Sequence, residues 1–356
     1  MSTLSTRFYL IAVGSVLPWI LPAQQTVSSI FDFKADIRIF TAQALQNIAG
    51  EDHEWRKEGM HPLRSEIRRD LFRTLDSGFI SKSRAFRNAR DVGWDAWASY
   101  ALLTNGPPSF VLSYDSKTSP YADAVVKSLP GLSPLLAEFY IKADVPRLWE
   151  KYGPRFQALN DEFCPYADRA LADIIRYCRL EDDYFSRNAS RIHVQFAPMQ
   201  SYFTAFTDKV DNEIYLIFGP QPSKPSPSSF YHEALHHVLT PLTDKLDSIA
   251  TNRFKDLFAL ATSDGHIGYS HIDEAFVRTL GCVLAGKPNH DADSTVLAWV
   301  TTEYKLGFIL CLPIYEQLKG YEATNITFQE YFPRILTNID VEREKLRWLE
   351  LTKKAK

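Results

Sequence analysis

The chain is expected to be α+β: a small antiparallel sheet set within a largely helical chain. Three observations predict this. Most segments between Pro62 and Leu180 carry apolar residues at helical spacing. Two runs, RIHVQFAP from Arg191 and EIYLIFGP from Glu213, alternate apolar and polar instead. Helical spacing returns after the Pro/Ser-rich stretch GPQPSKPSPSS and continues to a Lys-rich end. The 356 residues are 45% hydrophobic, 13% aromatic and 23% charged, which excludes a disordered chain. A net charge of −3 with no long Lys/Arg run argues against capture of nucleic acid.

The first segment reads as an address. Arg7 precedes the apolar stretch Phe8–Leu21, and small Ala23 stands before Gln24 and Gln25. This is the pattern of a signal peptide, residues 1–23. The stretch is short for a membrane span and is interrupted by Gly14 and Pro18. The mature protein is therefore expected to be secreted or periplasmic, with no membrane segment after cleavage. A retained anchor and an ordinary N-terminal helix are the competing readings. In an oxidising compartment the four cysteines could pair as Cys164–Cys178 and Cys282–Cys311. Spacing does not choose among the three connectivities, and four buried free thiols is the plain alternative.

Residues 24–189 read as a mainly helical region with an initial strand. FKADIRIF from Phe33 alternates like a strand and runs into the helix TAQALQNIAG, which Gly50 stops. Further helices are expected over Pro62–Leu75, Trp94–Leu103, Tyr121–Leu129, Leu132–Lys142, Pro146–Asn160 and Tyr166–Leu180. Residues 190–356 then hold the two alternating runs, with Asp211-Asn212 as a turn before the second, and the helices that carry chemistry.

Among the nine histidines, His232 and His236 enclose Glu233 in the pattern H-E-x-x-H. On a helix, positions i and i+4 stack on one face, so both imidazoles can reach one ion while Glu233 stands beside it. Tyr231, Ala234, Leu235 and Val238 supply the apolar face. Ser228 or Ser229 is expected to cap this helix and Pro241 to end it. A catalytic zinc keeps three protein ligands and a water. Glu274, in YSHIDEAFVRTLGCVLAG, is the leading third ligand, because a carboxylate among apolar neighbours needs a cation. His271, Asp273 and His266 are the alternatives. Asp273 and Asp244 are candidates to orient the imidazoles. An oxyanion donor is expected from His271 or Tyr269, with Tyr304 and Tyr315 further along the chain. His237 points about 100° away from His236 and reads as a supporting residue, and His193 as a strand-face residue.

The motif followed at a distance by E-A-F-x-x-x-L resembles the gluzincin branch of zincin metallopeptidases. The stretches DIRIFTAQALQNIAG, EIYLIFGPQ, YHEALHHVLTPLTDKL and HIDEAFVRTLGCVL together resemble a bacterial family of secreted metallopeptidases, the DUF4932 type. The resemblance covers roughly residues 190–285 and extends weakly to the N-terminal strand–helix. It implies a zincin-like catalytic unit, one Zn2+, and hydrolysis of a peptide or protein substrate. It implies His232, His236 and Glu274 as ligands and Glu233 as general base. A zinc hydrolase of a non-peptide substrate and a non-enzymatic helical binding protein are the alternatives.

Overall fold

The computed structural model describes residues 30–51, 59–119, 121–202, 204–221, 227–261, 269–286 and 293–354. The expected signal peptide and His266 lie outside them. Among the described residues no helix is long and apolar enough to cross a membrane.

The chain is mostly helical with one small mixed sheet. The short strand β1 (Phe31–Asp32) comes first, followed by α1 (Ile37–Ile48), α2 (Pro62–Thr74) and α3 (Ser77–Asn88). Next come α4 (Ala96–Leu102), α5 (Ala122–Ser128), α6 (Leu132–Lys142), α7 (Val145–Asp161), α8 (Cys164–Cys178) and α9 (Tyr184–Asn188). Strands β2 (Arg191–Phe196), β3 (Ala205–Val210) and β4 (Glu213–Phe218) follow. The rest is helical: α10 (Pro227–Asp244), α11 (Asp247–Phe258), α12 (Tyr269–Gly286), α13 (Asp293–Lys305), α14 (Cys311–Glu322), α15 (Phe328–Asn338) and α16 (Val341–Lys354).

Two strand expectations are corrected. The alternating runs at Arg191 and Glu213 are not antiparallel neighbours. They pair in parallel, Ile192 opposite Ile214, and the sheet order is β1-β2-β4-β3. The missing partner is β3, which forms a hairpin with β4. Asp211, with φ +52°, makes its tight turn, as the Asp-Asn pair suggested. The second correction concerns FKADIRIF, none of which is strand; the strand is the two residues just before it, Phe31–Asp32. Asp36 caps the helix instead: its carboxylate accepts from the Arg38 amide at 2.7 Å, so Ile37 and Ile39 enter α1.

The sheet is buried on both faces. Ile192, Val194, Phe196, Ile214, Leu216 and Phe218 join the core built by α8, α10, α12 and the C-terminal helices. Tyr215, Ile217, Phe206 and Val210 face Ile39, Ala98, Leu102 and Ala122 of the N-terminal helices. Helices α1 to α7 enclose a separate core that includes Trp97, Tyr152 and Phe156. Packing thus divides the helices near residue 160, and α8 belongs with the second half.

All four cysteines are free thiols. Cys164 and Cys178 open and close the same 15-residue helix. At 1.5 Å per residue that places them roughly 20 Å apart, far beyond disulfide reach.

Candidate metal centre

Helices α10 and α12 build the site. The face of α10 read from the sequence is the one it buries: Tyr231, Ala234, Leu235 and Val238 are at most 2% exposed. The Tyr231 hydroxyl donates to Asp173 of α8 at 2.8 Å. The helix begins earlier than expected, with Pro227 as its first residue, where the missing N–H costs nothing. It also runs through Pro241 to Asp244. Pro241 has no N–H for the carbonyl of His237, and the Tyr184 hydroxyl donates to that carbonyl instead, at 3.3 Å. On α12, Ile272, Ala275, Phe276 and Thr279 are likewise buried, which fixes the rotation of the helix.

These rotations bring His232, His236 and Glu274 together, with their ligand atoms within 4.8 Å of one another. His232 Nε2 lies 3.4 Å from Glu274 Oε1, and His236 Nε2 lies 3.5 Å from Glu274 Oε2. Ligand bonds of about 2.0–2.1 Å at a tetrahedral centre require edges of roughly 3.3–3.4 Å, close to both separations, each of which runs to a different oxygen of Glu274. Glu274 is thus the carboxylate placed with the two imidazoles, and the three could hold a metal ion. Both imidazoles keep a window to solvent, His232 being 25% and His236 20% exposed.

Asp273, the residue before Glu274, takes a different part. Its Oδ2 accepts from His236 Nδ1 at 2.7 Å, which turns the Nε2 lone pair toward the cluster. Thr240 and Thr243 hydroxyls donate to the same carboxylate. Asp244 is exposed on the far end of α10.

Burial and charge set the protonation of the group. Desolvation lowers His232 to about 4, leaving it neutral. Burial also opposes charge on His236, but the hydrogen bond and charge of Asp273 outweigh it and raise the ring to about 9. Desolvation, reinforced by Glu274, pushes Glu233 up to about 8. Glu233 is 3% exposed, and its Oε1 is 3.9 Å from His232 Nε2.

The remaining candidates divide. His271 is 1% exposed, its ring 4.7 Å from that of Phe258 and 5.8 Å from that of Phe308. That enclosure leaves it almost no face for a substrate. Tyr269 is the first residue of α12. Tyr304 packs on Trp348, and the Tyr315 hydroxyl donates to the Asp293 carbonyl. His237 is the supporting residue its position suggested. Its Nε2 meets Thr207 Oγ1 of β3 at 2.5 Å, and that hydroxyl donates to the Tyr215 carbonyl. Burial and the neighbouring His236 lower His237 to about 3. His193 stands on β2 between Asp32 and Glu213, stacked on Tyr215.

One contact escaped the sequence. Arg278 Nε donates to Glu274 Oε1 at 2.7 Å, and its Nη1 donates to Glu303 of α13 at 2.7 Å. The i, i+4 spacing of Glu274 and Arg278 was a local signal for the first bond. The second depends on how α13 packs.

No family profile, curated protein or solved structure matches this chain.

Proposed function

We propose that this protein is a secreted or periplasmic zinc hydrolase of gluzincin type, acting on peptide bonds. The reading rests first on the meeting of His232, His236 and Glu274, with Glu233 between the two imidazoles in sequence. Two imidazoles and one carboxylate suit zinc, and three protein ligands leave a position for water or substrate. The compartment rests on the N-terminal pattern, and the peptide substrate on the family resemblance.

Zinc held by these side chains would supply a Lewis acid for the scissile carbonyl and the attacking water. Glu233 holds that water and takes its proton, then passes it to the leaving amine. Its burial favours the protonated form, which suits a group that must both accept and return a proton. Asp273 keeps His236 turned to the ion. The sheet-side anchor of His237 on Thr207 fixes α10 against β3.

The test is Glu233→Gln. Zinc content of about one per chain is expected in both proteins, with cleavage of a peptide library lost in the variant. Cleavage surviving in the variant would remove Glu233 from its role. A wild-type chain that takes up no zinc on refolding with the metal would reject the hydrolase itself. Zinc uptake with cleavage of ester or amide libraries but of no peptide would move the substrate class.

A further inference from the structure

We infer that Arg278 and Glu303 form a clamp that sets the orientation of the Glu274 carboxylate, an inference that rests on the metal site proposed above. Glutamate reaches its ligand position through three rotatable bonds, so a ligand carboxylate needs an external hold. Arg278 is itself held on three sides. Its Nε meets Glu274 Oε1 at 2.7 Å, its Nη1 meets Glu303 Oε2 at 2.7 Å, and its guanidinium lies 3.9 Å from the centre of the Phe308 ring. A planar fork fixed at both ends and covered on one face has little freedom left. It therefore transfers the position of α13 onto Glu274, whose side chain is 7% exposed. Asp273 does for His236 what Arg278 does for Glu274. Together the two contacts preform two of the three donors before an ion arrives.

The guanidinium could act in a second way, by charge alone. It would then weaken the ion's attraction to the site, and removing it would tighten binding. Positioning has the opposite sign, since outer contacts to ligands are typically worth 10–100-fold in metal affinity. Arg278→Lys keeps the charge and loses the fork. Glu303→Gln keeps Arg278 and weakens the hold on its far end.

The experiment measures Zn2+ affinity by competition with a chromophoric chelator, and the visible absorption of the Co2+-loaded protein, for both variants and Arg278→Gln. Positioning predicts affinity about tenfold weaker in Arg278→Lys and several-fold weaker in Glu303→Gln, with altered Co2+ bands in both. Wild-type affinity and bands in both variants would overturn it. So would tighter zinc binding in Arg278→Gln with unchanged bands, the signature of charge alone. His232→Ala reports on the site without touching the clamp. Loss of metal there with no effect at Arg278 or Glu303 rejects only the clamp, whereas a wild type that binds neither ion rejects both.

Discussion

Replacing Asp273 by Asn gives a prediction with two opposing parts that pH separates. In the wild type Asp273 holds His236 near a pKa of about 9, so the metal-free ring is protonated at pH 7. Zinc must expel that proton, which lowers apparent affinity about 100-fold at pH 7 and only ~4-fold at pH 8.5. In Asp273→Asn the largest raising influence is gone, burial opposes charge on the ring while Glu233 and Glu274 still favour it, and the His236 pKa falls. The proton penalty then shrinks. The variant also loses the carboxylate that aims the ring, worth about 10–100-fold. The two effects oppose each other at pH 7, and the loss emerges at pH 8.5 as roughly tenfold weaker binding. Calorimetric titration with zinc in buffers of different ionisation heat counts the protons directly. At pH 8 the wild type should release more protons than the variant. Equal proton counts, or an affinity gap that does not change with pH, would refute the coupling between Asp273 and His236.

Four further outcomes are expected. His232→Ala should lower zinc affinity by at least about 100-fold while leaving the fold intact, checked by chelator competition and circular dichroism. Thr207→Val keeps the shape of β3 but strands the half-buried imidazole of His237. It should cost ~1–3 kcal/mol in urea denaturation, and an unchanged midpoint would contradict the anchor. His237 has a folded pKa of about 3 against 6.5 for an unperturbed ring, so protons favour the unfolded chain. Stability should therefore fall as pH drops from 6.5 toward 3, and His237→Gln should flatten that slope by about one proton. Thiol titration of the unfolded, unreduced protein should find all four cysteines. In the native state Cys178 and Cys311 should stay silent, since burial shuts them in and pushes both thiols up.

What could be read from the residues was local. The motif helix and the Glu274 helix follow from spacing alone, because each buries one continuous face. Strand β3 escaped because Thr207, Asp208 and Lys209 look like loop, and only pairing with β4 makes them strand. The alternation in FKADIRIF misled because the Asp36 cap competes with extended backbone. At the site, H-E-x-x-H picked out the two imidazoles that the fold brings together with Glu274. Asp273 was visible only as one of two acids near the motif, since its choice over Asp244 depends on how α12 crosses α10. His271 illustrates the converse. A histidine three residues from a ligand looks available until Phe258 and Phe308 close over it.

The neighbours Asp273 and Glu274 serve different partners from adjacent positions of one helix, the first gripping one imidazole and the second meeting both His232 and His236. Successive helical residues point about 100° apart, so both contacts exist at only one angular setting of α12 against α10. Inserting or deleting one residue between Ile272 and Arg278 would turn the following side chains by that angle and disconnect the site. Among the described residues the three candidate ligands and Asp273 all come from these two helices, while Glu303, which holds Arg278, comes from α13. The transferable unit is consequently three helices: a designer would have to lift α10, α12 and α13 together onto another scaffold, not any one alone.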